Sequence, residues 1–107
     1  MSDRIVVFVT AGSSEEADKI ASVLVERKLA ACVSINKDIV SIYRWKGDIC
    51  RDKEVQLIIK SKKTMLASII TAVKELHSYE IPEIASIDIS GGSLEYLRWI
   101  DESVSEK

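Results

Sequence analysis

The sequence predicts an α+β protein built around a four-stranded antiparallel sheet. Three observations lead to this prediction. Four runs are rich in β-branched residues, apolar stripes at helical spacing follow the first and third runs, and a short turn joins the second and third. A third helical stripe follows the last run, so the predicted order of elements is β-α-β-β-α-β-α.

The first strand and the first helix meet at a glycine. The run "RIVVFVT" is continuously aliphatic, as is typical of a strand in the middle of a sheet, and Gly12 ends it. Ser13 followed by Glu16 predicts a capping box, in which the hydroxyl and the carboxylate each accept a backbone N–H at the start of a helix. The apolar stripe of this helix consists of Ala17, Ile20, Ala21 and Leu24.

The second and third runs predict a long hairpin. "ACVSI" and "VSIYRW" are joined through "NKD" into one extended region, and "KGD" predicts a turn because glycine permits positive φ. A polar connector, "CRDK", follows the turn. The run "EVQLIIK" then alternates apolar and polar residues, which predicts the returning strand.

The second helix ends in a segment that holds the single histidine and the single proline of the chain. Thr64 is the predicted cap, and the stripe consists of Leu66, Ile69, Ile70, Val73 and Leu76. The helix is predicted to end around His77. Pro82 cannot continue a helix and favours an extended conformation at Ile81, so "IASIDI" is predicted as the fourth strand.

A third helix is predicted near the end of the sequence. Gly91 and Gly92 break the fourth strand, and Ser93 can cap the helix "LEYLRWIDESV". The residues predicted to point inward are Leu97, Ile100 and Val104. The last three residues, "SEK", are expected to fray.

The first six elements match the split βαβ, or ferredoxin-like, pattern. Two helices would cover one face of the sheet and leave the other face with apolar and aromatic side chains that need a cover. Trp45, at the tip of the hairpin, is expected to contact another copy of the chain. Residues 1–107 are expected to form one domain.

Composition narrows the classes of function. The chain has 15 basic and 17 acidic residues, and a net charge of -2 offers no excess positive field for nucleic acid. No apolar stretch is long enough for a membrane span, and "IVVFV" is too short for a signal peptide. The expected location is therefore the cytoplasm, without membrane or nucleic-acid partners.

Motifs for catalysis are absent from the sequence. There is no GxSxG, HExxH, Walker loop or GxGxxG, and one histidine with scattered serines forms no readable triad, so an enzyme is not expected. Cys32 and Cys50 do not form a CxxC pair. They are expected to be free thiols, with a disulfide left as the alternative.

His77 has two interpretations. Imidazole and carboxylate ligate divalent transition metals, and Glu80 and Glu83 are close to it in sequence. A histidine at a helix C-terminus can also donate to the last free carbonyl groups of that helix. On the residue pattern, we favour the second interpretation and keep the metal site as the alternative.

Five ordered blocks carry a resemblance to a known family: "LAACVSI", "YRWKGDI", "KEVQLIIKS", "HSYEIPEI" and "YLRWI". In these blocks, and over nearly its whole length, the chain resembles CutA, the divalent-cation-tolerance protein family. The resemblance implies a ferredoxin-like fold assembled as a tight homotrimer. It also implies an association with copper tolerance, a cytoplasmic location in bacteria and no established catalytic activity.

The resemblance carries over to the metal site in part. Family members credited with copper binding have a cysteine where Val9 stands and paired histidines where Leu76 and His77 stand. Because His77 alone matches, the resemblance implies a weak site for copper or another divalent cation. Its ligands would be His77 with Glu80 or Glu83, or with a cysteine from elsewhere.

A second set of residues resembles the lining of a cleft between subunits: Tyr43, Trp45, Lys60, Tyr79 and Glu83. Trimeric signal proteins of the PII type have such clefts. The alternative function is therefore a trimer that binds a small anion or metabolite, with Lys60 as the anion contact. A rigid trimer that serves as a platform for partners is a third possibility.

Overall fold

The computed structural model describes residues 3–105 and has the predicted order of elements. The elements are β1 (Arg4–Ala11), α1 (Ser14–Glu26), β2 (Cys32–Trp45), β3 (Asp48–Lys62), α2 (Leu66–Leu76), β4 (Ile84–Asp88) and α3 (Leu94–Ser103). A 3-10 turn, Lys63–Met65, leads into α2. Of the three terminal residues expected to fray, Glu106 and Lys107 lie outside the described residues.

The sheet has the order β2-β3-β1-β4, and every neighbouring pair of strands is antiparallel. β1 lies between β3 and β4, so that Val7 is opposite Ile59 on one side and Ser86 on the other. The predicted α+β, ferredoxin-like arrangement is therefore confirmed.

The core lies between α1, α2 and one face of the sheet. Alternate residues of β1 point into it, and Ile5, Val7 and Val9 are at most 1% exposed. They pack in one cluster with β3 residues such as Leu57 and with the apolar stripes of both helices. Burying each large aliphatic side chain stabilises the fold by about 1.5–3 kcal/mol, so this cluster is the main source of stability within the chain.

α3 lies at the Arg4 end of the sheet, against the opposite face. Arg4 alternates with the buried Ile5, and its guanidinium makes two hydrogen bonds of 3.0 and 2.7 Å to the carboxylate of Asp101. As predicted, Leu97 and Ile100 point inward, and they form a small cluster with Ala31.

The hairpin differs from the prediction. β3 begins at Asp48, so the polar residues 50–53 belong to the strand, where Cys50 pairs with Tyr43. The chain reverses over Lys46 and Gly47, which both have positive φ, and the strands therefore pair directly after the turn. Because β1 ends opposite Val55, residues 50–53 have no third strand beside them and their polar side chains remain in solvent.

Two of the three predicted hydroxyl caps are confirmed, whereas the Glu16 carboxylate of the predicted capping box accepts the N–H of Ser78. Ser13 Oγ accepts the Glu16 N–H at 3.2 Å, and Ser93 Oγ accepts the Tyr96 N–H at 3.4 Å. The prediction that Thr64 caps α2 is wrong. Thr64 lies inside the 3-10 turn, whose Leu66 N–H donates to the carbonyl of Lys63, so the turn itself leads the chain into the helix.

Candidate functional site

A cleft of about 700 Å³ opens between the hairpin and the segment that follows α2. We call the part of the hairpin beyond β1 the outer hairpin, residues 39–45 of β2 paired with residues 48–54 of β3. The other wall is residues 79–83, which Pro82 keeps out of a helix. The apolar and aromatic lining consists of Ile42, Tyr43, Trp45, Tyr79, Ile81 and Pro82.

The polar lining of the cleft is acidic. Three carboxylates contribute to it, and none of the described lining residues is a lysine or an arginine. Glu80 and Glu83 are exposed, whereas Glu54 is only 6% exposed. The electrostatic potential of the cleft therefore favours a cation over an anion.

The phenol of Tyr79 is held on the buried carboxylate of Glu54. Its hydroxyl donates to Glu54 Oε2 at 2.7 Å. Burial, followed by this hydrogen bond, raises the pKa of Tyr79, so the phenol stays a neutral donor at physiological pH. A side-chain carbon at Gly12 would lie 3.1 Å from the Tyr79 hydroxyl oxygen, so glycine there leaves room for the ring.

Tyr43 makes a similar link inside the outer hairpin. Its hydroxyl donates to Asp52 Oδ2, two residues beyond its cross-strand partner Cys50. This hydrogen bond is the main cause that raises the pKa of Tyr43 to about 12. Two phenol groups of the cleft are thus fixed in the protonated form, each on a carboxylate.

His77 lies behind the cleft with a fully buried side chain. Its Nε2 is 2.6 Å from the carbonyl oxygen of Thr10, and Nδ1 is 3.0 Å from the backbone nitrogen of Tyr79. Nδ1 also lies 3.1 Å from Glu16 Oε2. A metal ion bound to His77 would therefore have to displace at least one of these contacts.

These contacts also change the interpretation of His77 as a helix end. α2 ends at Leu76, and the backbone N–H of His77 donates to the carbonyl of Val73, as expected for a helix stop. The ring, however, reaches β1 at Thr10 and not the last carbonyl groups of α2. The Glu16 carboxylate accepts the Ser78 N–H at 3.1 Å, so it joins the start of α1 to the end of α2.

Comparison with known proteins identifies the family. Residues 5–103 match the family model described as CutA1 divalent ion tolerance protein. The chain belongs to the CutA family. Within residues 3–105, no helix combines the length and the apolar character needed to cross a membrane.

Relatives in the CutA family differ in length. The divalent-cation tolerance protein CutA of Thermus thermophilus is 43% identical over 98 residues, which cover 92% of this chain and 95% of that protein. The chloroplastic protein CutA 1 of Oryza sativa is 40% identical over 102 residues, 95% of this chain but 58% of that protein. This chain therefore spans little more than half the length of the rice relative.

Solved CutA structures have the same fold. CutA from Xylella fastidiosa superposes with a TM-score of 0.94 at 38% identity, covering 97% of this chain and 100% of that chain. The Cut A1 protein of Thermus thermophilus superposes with a TM-score of 0.93 at 41% identity, covering 95% and 99%. Both results support the α+β architecture described above.

Two positions at which the resemblance implies a cysteine and a histidine, Val9 and Leu76, have no ligand atoms in their side chains. Val9 is fully buried in the core, and Leu76 is packed against that core. In residues 3–105 there is no group of three or more His, Cys, Asp or Glu placed to hold a metal ion. A single chain therefore does not form a complete metal centre from its described residues.

The structure brings together four of the five predicted cleft residues: Tyr43, Trp45, Tyr79 and Glu83 line the cleft. Lys60 lies elsewhere, in the middle of the sheet, where it pairs with Val6 and Cys32. Cys32 and Cys50 are both free and half-buried.

Sequence reasoning named Glu16 in the capping box of α1 but not as the partner of Ser78, and it did not find Asp52 or Glu54. One signal was available for Asp52. A two-residue turn at Lys46 and Gly47 sets the register of the hairpin, and that register makes Asp52 a diagonal neighbour of Tyr43. Glu16 and Glu54 meet partners distant in sequence, and no local pattern indicates them.

Proposed function

We propose that the chain is a non-catalytic protein that acts in divalent-cation tolerance. It works as a homotrimer and binds metal ions, chiefly copper. The observation that carries this proposal is the acidic cleft beside the outer hairpin, which has no basic lining residue among those described. The names of its CutA relatives, which refer to divalent-cation tolerance, support the same conclusion.

Assembly is proposed because the outer hairpin exposes large apolar side chains. Val40 is 51% exposed, Ile42 62% and Ile49 64%. A two-stranded hairpin is marginal in water without further cover, and apolar surface of this kind is typical of interfaces. Copies of the same chain would provide that cover and would also enclose the cleft.

The assembly is tested by light scattering on the untagged protein. We expect a particle with three times the mass of one chain over a wide range of concentration. Ile42→Asp, which puts a charge on the exposed face of the hairpin, should shift the mass towards one chain while the circular dichroism spectrum stays unchanged. A wild-type monomer would contradict the proposal.

For the metal, we propose ligation by Glu80 and Glu83 at the mouth of the cleft, together with His77 or with groups from a second copy. Each isolated carboxylate is a weak ligand for copper, and His77 must give up an existing contact. The expected affinity is therefore modest.

Calorimetry with Cu(II), Cu(I) and Zn(II) tests this site. Glu83→Gln should weaken Cu(II) binding by about tenfold or more, a loss of about 1.4 kcal/mol. Glu102→Gln, an exposed glutamate on α3, is the matched control and should change nothing. Unchanged affinity in His77→Gln would exclude His77 as a ligand.

The size of the cleft favours a second candidate function, a PII-like trimer that binds a small molecule between subunits. About 700 Å³ is the volume of a typical small-molecule pocket and is larger than an ion requires. Thermal shift measurements with nucleotides and organic acids test this function. A rise in melting temperature that Trp45→Ala abolishes would support it.

A further inference from the structure

The inner end of the cleft contains a buried carboxylate that forms no salt bridge with any residue in the range 3–105. This carboxylate belongs to Glu54, which is 6% exposed and lines the cleft. One hydrogen bond, from the Tyr79 hydroxyl to Oε2, reaches its side chain in this part of the protein. A buried carboxylate is costly unless a positive charge compensates it. Glu54 therefore indicates a cationic ligand.

Aromatic rings line the same cleft as this carboxylate. Tyr43, Trp45 and Tyr79 line the cleft, and each keeps 37–40% of its surface exposed. The hydroxyl groups of both tyrosines are already bonded to carboxylates, so the rings offer mainly their π surfaces. Such surfaces attract cations, and the Lys46 ammonium 5.6 Å from the Trp45 ring centroid is an example within the chain.

The inner end of the cleft, at Glu54, is poorly suited to a bare metal ion, and the whole cleft is poorly suited to an anion. A metal ion needs several converging ligands, and residues 3–105 bring no group of three such residues together. An anion would meet three carboxylates and no lysine or arginine among the described lining residues. An alkylammonium ion needs only one carboxylate and apolar or aromatic walls, and both are present.

We propose that the cleft binds a small organic cation, an amine or a quaternary ammonium, with its charge towards Glu54. Its alkyl groups lie against Tyr43 and Tyr79, and Trp45 lines the same cleft nearer the tip of the hairpin. This binding site is separate in its ligand set from the copper ligands proposed above, because it uses the inner Glu54 and the aromatic rings, whereas copper uses the outer Glu80 and Glu83.

The test compares choline with its neutral isostere 3,3-dimethyl-1-butanol, which has carbon in place of the charged nitrogen. In a Trp99→Phe background Trp45 is the remaining indole, and its fluorescence reports on the cleft. We expect saturable quenching by choline and at least about tenfold weaker binding of the isostere. Tetramethylammonium and n-butylammonium serve as further probes of the same chemical class.

Two variants locate the charge. Glu54→Gln keeps an acceptor for the Tyr79 hydroxyl and should weaken choline binding by at least about tenfold. Glu95→Gln, an exposed glutamate in the first turn of α3, is the control and should leave binding unchanged. Equal binding of choline and the isostere, unchanged binding in Glu54→Gln, or no binding of any of the three cations would overturn the proposal.

A basic side chain from a second copy is the competing partner for Glu54. In that case the assembled protein would not bind choline, and Glu54→Gln would change the mass measured by light scattering, which also overturns the proposal. Copper calorimetry on the same samples distinguishes the organic-cation site from the copper site. Loss of choline binding in Glu54→Gln with copper affinity retained supports two separate sites, whereas copper binding without any choline binding refutes only the organic-cation site.

Discussion

Similar aliphatic side chains in two parts of the same strand, β3, differ widely in their exposure to solvent. In the inner sheet, which we define as β1, β4 and residues 32–36 of β2 with 55–62 of β3, Leu57 and Ile59 are fully buried. In the outer hairpin Ile49 is 64% exposed and Ile42, on the opposite strand, is 62% exposed. The difference comes from the neighbours, because β1 pairs with β3 only as far as Val55.

This comparison separates the source of stability from the place of binding. The inner sheet is covered by α1 and α2 and carries the hydrophobic free energy of folding. The outer hairpin is ordered by its own ladder, a tight turn and two phenol–carboxylate hydrogen bonds. It therefore leaves apolar and acidic surface free for other molecules, and the candidate cleft is formed there.

The largest effect should come from the inner sheet. Leu57→Ala removes a fully buried side chain and should lower the free energy of unfolding by about 2–5 kcal/mol. Ile49→Ala, the matched change in the outer hairpin, should cost less than about 1 kcal/mol within a single chain, and any further loss should come from the proposed contact with a second copy. Denaturant unfolding at one fixed protein concentration measures both, and equal losses would contradict the comparison. A loss in Ile49→Ala that grows with protein concentration would show that a second copy covers this residue.

The second effect concerns the cleft wall. Tyr79→Phe removes the hydrogen bond to the buried Glu54 and should cost about 1–3 kcal/mol in unfolding free energy. Tyr43→Phe removes the equivalent bond to Asp52, which is exposed to solvent, and should cost less. A larger loss in Tyr43→Phe would show that the outer hairpin depends on its phenol link more than the cleft wall does.

The spacing of apolar residues predicted the helices and strands, and the serines that precede two helices predicted the caps at Ser13 and Ser93. Both kinds of prediction succeed because they depend on residues only a few positions apart. The same local reasoning failed at Thr64, where a 3-10 turn takes over the role of a cap. It also failed at residues 50–53, whose polar side chains look like a loop. Strand pairing that starts at the tight turn outweighs that polarity, since the side chains of residues 51–53 face solvent within the strand.

The candidate site was predicted less completely than the fold. Tyr43, Trp45, Tyr79 and Glu83 come together as expected, but the cleft depends equally on Glu54, which is distant in sequence from Tyr79. Which carboxylate a phenol meets depends on the packing of residues 79–83 against the hairpin. The copper ligands and the trimer stay predictions, since no partner chain or ion tests them.

The third effect tests the turn at the tip of the outer hairpin. Gly47 has a φ of +89°, and a side-chain carbon there would have no heavy atom within 4 Å, so Gly47→Ala measures backbone strain alone. It should cost about 1–2 kcal/mol. Lys46, with a φ of 52°, provides the opposite test, because Lys46→Asn places a residue that tolerates this conformation and should raise the melting temperature. No change in either variant would show that the tip contributes nothing to the stability of the hairpin.

The smallest effect is a pH dependence at the other side of the molecule, where α3 is held to β1. The hydrogen bonds from Arg4 are the main cause that lowers the pKa of Asp101 below its ordinary value of 3.8. The unfolded chain therefore binds a proton at higher pH than the folded chain does. The contribution of the pair to stability should be complete above about pH 5 and should disappear as the pH falls through the lowered pKa. The difference in unfolding free energy between wild type and Asp101→Asn should accordingly shrink between pH 5 and about pH 2, and Glu102→Gln, a substitution of its exposed neighbour, serves as the control. A constant difference over this range would mean that the ion pair does not hold α3 to the inner sheet. The apolar contacts of Leu97 and Ile100 would then be the main attachment of this helix.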